Sequence, residues 1–537
     1  MAASNMDGLV TLALVGTARH RSSADTATHT PIDDLTSTLA AAEPERALLL
    51  RAGALAVYRQ AGQTAPAQIG APTPAPSETR PLCSPGAAAL LGRLLKEENI
   101  LLPEALARLN RAGQRLPFDL LPDALNIMQD EHRKLLAPVL GERGRWLSHF
   151  HTEWDWVEAT LIELAGELPP DAEDIWQEGK LNQRVALLRQ ARQFAPERAR
   201  DWVEGVWKQE KADTREKLID CYEINLSPED EAFLEAALDD RAQAVRATAI
   251  RLLMGISTSA FAARAIARAD AVLDYANGKL VARPPKDFPA ALARDGLPVN
   301  TRENQKGKGP RATWLTVALA QVNPTHWQER FGLSPDALIE AVGEKNEWEE
   351  AIRDGWTQAA QAHQATAWML PLWRWRHAVE ANAKHYSHSD YSTGQLMGGV
   401  AAEERRRLAL DMLRRHPLTA DDSSGAQQWN EAVNSVLAPW DDEFSQAYLA
   451  GLYAFAGQLT AELLAQGATP VVPWLETLAV AQVALAPSCV GSATRPFDLP
   501  PMPEGKLNWQ LNYAHRQLGD FTNTMRLRQR LIEELPD

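Results

Sequence analysis

Two histidines and an aspartate with the chemistry to hold a divalent metal ion lie within six residues of one another. They are His385, His388 and Asp390, followed directly by Tyr391. Imidazole nitrogens and carboxylate oxygens are ordinary ligands of Zn²⁺ and other divalent ions. The neighbouring serines, glycine and threonine are, however, typical of a solvated loop between helices, and no further ligand can be identified elsewhere in the chain. The sequence therefore favours a loop without a metal, and these three residues stay as the metal candidates.

A second candidate for chemistry is a pair of histidines beside an acid. His149, His151 and Glu153 have the residue types of an acid–base pair. A helix start explains the same stretch, because the hydroxyl of Thr152 would satisfy the free amides of a first helical turn. We predict the helix cap, with Thr152 as the capping residue.

A third candidate for function is a cluster of aromatic and cationic residues. Trp368, Trp373, Arg374 and Trp375 form it, and tryptophan and arginine are the residues that dominate protein interfaces and stack on ligands. Trp368 and Trp375 are seven residues apart, which is one face of a helix, although Pro371 interrupts the turn. Packing between helices and a binding surface both remain open, and packing is the simpler interpretation.

Two pairs of acids resemble the separated carboxylates of a glycosidase built as a ring of helices. They are Asp421 with Asp422 and Asp441 with Asp442. Such an enzyme places two acids across the bond that it cleaves. Each pair also stands where a helix is expected to begin, and acids there complement the helix dipole. We expect helix capping.

Common catalytic and nucleotide-binding motifs are absent from the sequence. No GxxxxGK[ST] motif occurs, no GxGxxG follows a strand, and neither HExxH nor GxSxG is present. The sequence therefore predicts no catalytic residue and no cofactor.

Composition narrows the class of protein. The 537 residues carry a net charge of −15, with 45% apolar and 23% charged residues. An acidic surface repels phosphate, which disfavours nucleic acids and anionic membranes as partners. The three cysteines are unpaired in spacing, the N-terminus lacks a signal peptide, and no segment is long enough to cross a bilayer. We expect a soluble cytoplasmic protein.

The middle of the chain carries an internal repeat. Arg184, Arg215 and Arg246 are spaced by 31 residues, and the third, fourth and seventh residues after each arginine are apolar or small. That spacing predicts one buried stripe on each of three helices. Their members are Leu187, Leu188 and Ala191; Leu218, Ile219 and Tyr222; Ala249, Ile250 and Leu253. A helix pair of this length cannot cover its own stripe, so neighbouring pairs must stack as in a solenoid.

The last of these units resembles a HEAT repeat. Asp240–Arg246, followed by Ala249 and Leu252–Leu253, is similar to the second-helix signature of that family. The resemblance covers residues 153–256 and implies that an acid near the turn and the arginine of the second helix bond along the stack. Asp213 with Arg215 is a looser version.

The rest of the chain divides by composition. Residues 1–63 are predicted as N-terminal helices, 64–85 as a Pro- and Ala-rich linker or loop, and 86–277 as a helical module that contains the repeats. Residues 278–311 are predicted as an irregular loop and 312–537 as a C-terminal helical module that ends in an amphipathic cap.

Local positive charge marks the irregular loop. Lys306, Lys308 and Arg311 stand out against the acidic background. A long loop in a helical protein is commonly functional, so these residues are candidates for an interaction. Binding of nucleic acid through them is a third, weaker hypothesis.

Several short features carry a resemblance over the whole chain. They are Leu12–Arg19, the apolar helix Leu48–Gln60, the related stretches Gly141–Leu147 and Gly309–Leu315, and a terminal helix with Met525. Together they are similar to an uncharacterised bacterial family whose members are encoded beside a MoxR-type AAA ATPase, a von Willebrand factor A protein and a SWIM zinc-finger protein. No activity is established for that family, so the resemblance implies only a class of partner.

The sequence thus predicts an all-α fold, an α-solenoid of stacked helix pairs that is HEAT-like in the middle and has minor or no β structure. We expect a non-catalytic scaffold or adaptor for protein partners, a MoxR-type AAA ATPase or von Willebrand factor A protein among them. The alternative is a helical-toroid enzyme that acts on a glycan or another polar substrate. The 17 tryptophans are compatible with both, since they serve helix seams and sugar platforms alike.

Overall fold

The computed structural model divides the chain into two compact units. Unit 1 spans residues 1–75 and unit 2 spans residues 76–537. The structure describes residues 10, 13–14, 43–61, 73–97, 99–287, 290–297, 309–343, 346–382, 396–415, 429–430, 432–459, 475–501 and 509–536. The boundary between the units falls inside the Pro- and Ala-rich segment 64–85. The helical modules predicted at 86–277 and 312–537 both belong to unit 2.

The described part of unit 1 centres on helix α1 (Pro44–Ala61). Glu45 lies in its first turn, where an acid complements the helix dipole. Leu49, Leu50 and Val57 are 72%, 42% and 67% exposed. Helix α1 lies within the segment 1–63 that the sequence predicted as helical, and it leaves these apolar side chains exposed.

Unit 2 begins with a group of short helices whose prolines lie in first turns. The hydroxyl of Ser84 accepts a hydrogen bond from the Ala87 amide at 3.0 Å, and Pro85 follows in the first turn of α2. Pro103 and Pro122 lie in the first turns of α3 and α4, one position later. The group consists of α2 (Pro85–Lys96), α3 (Leu102–Arg111), α4 (Leu121–Leu125), α5 (Asp130–Leu136), α6 (Gly141–Ser148) and α7 (Trp156–Leu164).

The 31-residue repeat folds into three consecutive helix pairs. They are α8 (Ala172–Glu178) with α9 (Leu181–Phe194), α10 (Pro196–Val206) with α11 (Ala212–Asp220), and α12 (Glu231–Ala237) with α13 (Gln243–Gly255). The second helices lie side by side, since α9 packs on α7 and α11, and α11 packs on α13. All stripe residues are buried except Ile250, which is half-buried. The second helices are therefore stacked in order, which is compatible with the predicted solenoid.

The repeated arginines bond along the stack. The Nε and Nη2 atoms of Arg215 each donate to one oxygen of the Asp240 carboxylate in the next pair, both at 2.9 Å. Arg184 forms the corresponding ion pair with Glu210 at 2.8 Å. The partner of Arg215 is therefore Asp240 and not the sequence neighbour Asp213. A side chain that reaches the next repeat is anchored there because the two second helices are in contact.

A fully buried ion pair reinforces the junction between two repeats. Arg192 donates to both oxygens of Asp230, at 2.9 and 2.7 Å, and neither side chain is exposed. Arg192 also donates to the carbonyls of Ile224 and Asn225. Charges so deep are tolerated when nearly every donor and acceptor is bonded.

Beyond the repeats the chain forms α14 (Ala260–Asp270) and a small antiparallel hairpin. Strands β1 (Leu273–Ala276) and β2 (Lys279–Ala282) pair with Leu273 opposite Ala282. Asn277 and Gly278 connect them with φ of 53° and 77°, which is the backbone that a two-residue hairpin turn requires. The segment 278–311, predicted as irregular, is thus regular at its start. Its residues 290–295 form a 3-10 turn whose Asp295 is buried.

The remaining helices complete unit 2 and confirm the predicted all-α fold with minor β structure. Helix α15 lies along α18, which also contacts α13 and α19. The helices are α15 (Pro310–Ala320), α16 (Thr325–Phe331), α17 (Pro335–Val342), α18 (Glu349–Ala362), α19 (Thr366–Asn382), α20 (Ala402–Arg415), α21 (Asp442–Ala456), α22 (Thr477–Ala484), α23 (Val490–Ala493) and α24 (Trp509–Glu534).

Helix α24 connects the end of unit 2 to its beginning. Three buried clusters follow one another along the chain, and α24 belongs to both the last and the first. It contributes Leu527 and Leu531 to the first cluster, and Leu535 directly after the helix also belongs to it. Arg528 on α24 donates to Glu104 on α3 at 2.6 Å. The sequence predicted this helix only as a cap for the array. In the structure it covers the helices with which unit 2 starts.

No single helix in the described parts of the chain has both the length and the apolar composition to cross a bilayer. Helices α13 and α14 reach that composition only as a pair bent by 83°. Both contribute to the second buried cluster.

Candidate functional site

Two cavities of unit 2 share Gln364 in their walls, and the pair is here named the Gln364 groove. Each cavity has a volume of about 490 Å³. The first cavity has an apolar wall of Leu226, Met254 and Ile266 and a polar wall that includes Asn323 and His363. The second is lined by Gln361, Thr366, Met369, Gly398 and Gly399.

The C-terminal ends of successive helices surround the first cavity. Gly255 is the last residue of α13 and Ala362 the last of α18, and both line it. Gln321 directly follows α15, and Glu223 ends the short 3-10 extension of α11. Each α-helix C-terminus carries a partial negative charge of roughly half an electron. Ala262 in the first turn of α14 also lines the cavity, as do Asn323 and Gln364, which stand just before α16 and α19. The cavity is therefore lined by both ends of successive helices, whose partial charges have opposite signs.

His363 is the titratable group set deepest in the groove. It caps α18 and is half-buried, and its Nε2 atom is buried without a hydrogen-bond partner in the protein. Burial lowers the pKa of His363, and the hydrogen bond between the ring and the Gln321 backbone opposes that shift only in part. The ring is therefore neutral near pH 7.

Gln364 holds a backbone conformation that usually belongs to glycine. Its φ is 49°, and the Ala365 amide behind it bonds the Ala360 carbonyl at 2.9 Å, which is the standard left-handed ending of a helix. A side chain in this conformation costs about 1–2 kcal/mol relative to glycine. The strain is explained by helix termination, but the glutamine side chain is not required for it. That side chain lines both cavities.

One acid and one arginine, Glu223 and Arg251, line the first cavity. Arg251 lies in ion pairs with Asp220 at 2.5 Å and with Glu223 at 3.1 Å, and all three are substantially exposed. Asp220 and Glu223 end α11 and its 3-10 extension. The two oppositely charged residues that line the first cavity, Glu223 and Arg251, therefore pair with each other.

The predicted tryptophan cluster is mostly inside the protein. Trp368 is fully buried and Trp373 is 8% exposed, and the Trp368 indole donates to Gln328 at 2.8 Å. Trp375 is half-buried and Arg374 is exposed. Trp368 and Trp373 are therefore packing residues and are not available to a partner. The prediction of an interaction surface is limited to the outer edge of this cluster.

Of the three basic residues predicted as interaction candidates in the loop, the structure describes Arg311. Its guanidinium donates to the Pro284 carbonyl at 2.7 Å and lies 5.0 Å from the centre of the Trp348 ring. These contacts tie the start of α15 to the segment after β2. Lys306 and Lys308 lie outside the described residues.

Among the residues that the structure describes, no group of three or more His, Cys, Asp or Glu side chains is placed to hold a metal ion. The metal candidates His385, His388 and Asp390 lie outside that part of the chain, as do Asp421 and Asp422. Asp441 caps α21, since its carboxylate accepts from the Phe444 amide at 2.8 Å, which confirms its predicted role.

The histidine pair near residue 150 marks a helical start, as predicted, but the cap is a different residue. The Nδ1 atom of His151 accepts from the Glu153 amide at 3.3 Å, and Thr152 is the first residue of the 3-10 turn. His149 lies 3.9 Å from Glu158. The prediction of Thr152 as the cap was wrong by one position, because the extended residue that precedes the turn is His151.

The chain belongs to the Family of unknown function (DUF5691), which it matches over residues 8–535. Neither a curated protein nor a solved structure matches the chain. The match spans both units and agrees with the resemblance to an uncharacterised family. Since the family has no established activity, function is argued from the groove.

Proposed function

We propose that this member of a family of unknown function is a cytoplasmic helical scaffold that binds protein partners through the Gln364 groove and catalyses no reaction itself. One observation above all supports the proposal: the ends of consecutive helices converge on a single groove that mixes amide, hydroxyl and apolar groups. A peptide segment offers the same mixture, with a polar backbone and alternating side chains.

The buried acids of unit 2 support a structural use of its carboxylates. Asp230 and Asp295 each accept hydrogen bonds from two arginines, and Asp240 accepts two from Arg215. Burial raises the pKa of Asp240 and of Asp295, but the arginine contacts outweigh it and hold both pKa values below the ordinary range. A general acid at neutral pH needs a raised pKa. The pKa values of Asp240 and Asp295 are shifted in the opposite direction, which favours a scaffold over the toroid enzyme.

The partner that we propose follows from the resemblance over the whole chain. It is a component of a MoxR-type AAA ATPase system, either the ATPase itself or a von Willebrand factor A protein. The chain would act as its adaptor or regulator. The exposed apolar side chains of α1 are compatible with a second contact to the same assembly.

Affinity capture tests the proposal. The full chain is co-expressed with each genomic neighbour, captured, and analysed by size-exclusion chromatography with and without ATP. Two variants fill the groove: Ala362→Trp in the first cavity and Gly398→Trp in the second, where an added Cβ meets no atom within 4 Å. Gln358→Trp is the matched control, because Gln358 is exposed on α18 and lines neither cavity.

We expect a neighbour to co-elute with the wild-type chain and with Gln358→Trp, and to be lost from at least one groove-filling variant. Failure of every neighbour to co-elute, in both nucleotide states, would remove the adaptor proposal. Co-elution that survives both Ala362→Trp and Gly398→Trp would show that partners bind elsewhere.

A further inference from the structure

A cavity separate from the Gln364 groove is lined by α24 and by the end of α2. Its volume is about 500 Å³, and it is here named the Arg526 cavity. Three arginines and one acid belong to its walls: Arg93, Arg526, Arg530 and Asp520. The chain as a whole carries a net charge of −15. The sign of the charge is therefore reversed at this cavity.

The partners of these residues leave the excess of positive charge unchanged. Glu97 contacts Arg93 through the Nε atom, at 3.0 and 3.2 Å, and Arg516 lies 3.9 Å from Asp520. These two partners carry opposite charges and cancel. Asn99 stands between the end of α2 and the start of α3, whose partial charges also oppose each other. The lining residues keep an excess of two positive charges.

Two of the arginines lack the acidic partners that pair with exposed arginines on α10 and α20. Neither Arg526 nor Arg530 forms an ion pair with any residue that the structure describes. Glu534, one turn after Arg530, accepts from the hydroxyl of Ser84 at 2.8 Å, and neither Glu533 nor Glu534 lines the cavity. Like charges four residues apart on a helix repel each other. A bound anion would remove this repulsion.

The donors around the cavity suit a phosphate group. Guanidinium groups bind phosphate oxygens in a bidentate manner. The Oδ1 atom of Asn523 accepts from Arg526 at 3.2 Å, which leaves its amide nitrogen to donate, and Thr524 adds a hydroxyl. A phosphate monoester has three acceptor oxygens and nearly two negative charges at pH 7. Its charge matches the excess, and its oxygens can use donors from several walls at once.

We propose that the Arg526 cavity binds a small phosphorylated molecule, with Arg93, Arg526 and Arg530 on its phosphate group. A volume of about 500 Å³ leaves room for an organic group, which would contact Leu527. The ligand would bridge α2 and α24 and so stabilise the contact between the beginning and the end of unit 2. This function is separate from the binding of a protein partner at the Gln364 groove.

Isothermal titration calorimetry with the full chain tests the inference. The probe is pyrophosphate, and citrate at the same pH and ionic strength is the control for a polyanion made of carboxylates. Arg526→Gln and Arg530→Gln each remove one guanidinium from the cavity. Arg407→Gln is the matched control, because Arg407 is 77% exposed on α20 and does not line the cavity.

We expect pyrophosphate to bind the wild-type chain and Arg407→Gln equally, and at least tenfold more tightly than citrate does. Arg526→Gln and Arg530→Gln each weaken the binding of pyrophosphate by about tenfold, which is the range for a hydrogen bond to a charged group. Bound pyrophosphate should also slow amide exchange at the end of α2 and in α24 together. If one variant fails to fold, as judged by circular dichroism, the other still decides.

Three results would overturn the inference: no binding of pyrophosphate to the wild-type chain, equal affinity for citrate, or unchanged affinity in both arginine variants. The outcome is separable from that of the scaffold proposal. Ala362→Trp, which fills the Gln364 groove, should bind pyrophosphate as the wild-type chain does. Loss of pyrophosphate binding from Ala362→Trp would place the anion at the groove and reject the Arg526 cavity.

Discussion

Replacement of Glu104 by glutamine tests whether the end of unit 2 is bonded to its beginning. Glu104 on α3 accepts from Arg108 at 3.0 Å with one oxygen and from Arg528 on α24 at 2.6 Å with the other. Both arginine side chains are only 2% exposed, and Glu104 is 18% exposed. Glu104→Gln removes the negative charge between two buried guanidinium groups.

The magnitude follows from that burial. Loss of one partner from a buried ion pair costs about 3–5 kcal/mol, because the charge left behind is poorly solvated. Glu104 retains some contact with water, so we take the lower end and predict a loss of about 3 kcal/mol in the free energy of unfolding. Glu97→Gln is the control, since its pair with Arg93 is 48–59% exposed. An exposed pair of this kind contributes about 0–1 kcal/mol.

Urea unfolding followed by circular dichroism measures both variants, and hydrogen exchange shows where the loss acts. We expect Glu104→Gln to speed amide exchange in α3 and in α24 together, although some 400 residues of sequence separate them. Glu97→Gln leaves both helices protected. If Glu104→Gln lowers the free energy of unfolding no more than Glu97→Gln does, or if amide exchange speeds up only in α3, the prediction is wrong. The ion pair between Glu104 and Arg528 would then contribute no stability.

Three further predictions concern single residues. Gln364→Gly relieves the left-handed strain at φ 49°, so it raises the free energy of unfolding by about 1 kcal/mol in urea titrations while it weakens partner capture; a variant that is destabilised would contradict the strain. The pKa of Asp240 is lowered in the fold, so the stability it contributes is complete above its unfolded pKa of about 4 and is lost as the pH falls through the folded value. The difference in melting temperature between wild type and Asp240→Asn should therefore shrink below pH 4, and a constant difference would oppose this. Burial raises the pKa of the Cys221 thiol to about 11, so iodoacetamide at pH 8 should leave Cys221 unmodified until urea unfolds the chain, and rapid labelling of the folded protein would contradict its burial.

The helix pairs could be predicted because their signal is local. Each stripe depends on a spacing of three, four and seven residues, and the same spacing returns after 31 residues. The contacts of Arg215 were harder to assign, since its partner Asp240 lies 25 residues away and is reached only when two pairs stack. The fully buried Arg192–Asp230 pair gave no signal, because arginine and aspartate are ordinary surface residues in a sequence.

The groove could not be predicted from the sequence for a related reason. Its walls come from five separate stretches between Glu223 and Gly399, and the residues that each supplies are of common types. The sequence around His363 does not distinguish it from the other histidines. Only the structure shows that its Nε2 atom is buried without a hydrogen-bond partner in the protein. The tryptophans were candidates for a binding surface because they are rare and large. Trp368, however, is buried and packs against Trp356 of α18. Residue type therefore predicted the core better than it predicted the site.

Hydrogen exchange on the captured complex tests the central claim most directly. The claim predicts that a bound partner slows amide exchange around Glu223–Leu226, at the end of α13, and from Gln361 through Met369, relative to the free chain. Ala362→Trp should reduce this protection, whereas Gln358→Trp should not alter it. Protection confined to α1, or a complex in which these groove segments exchange as fast as in the free chain, would contradict the account.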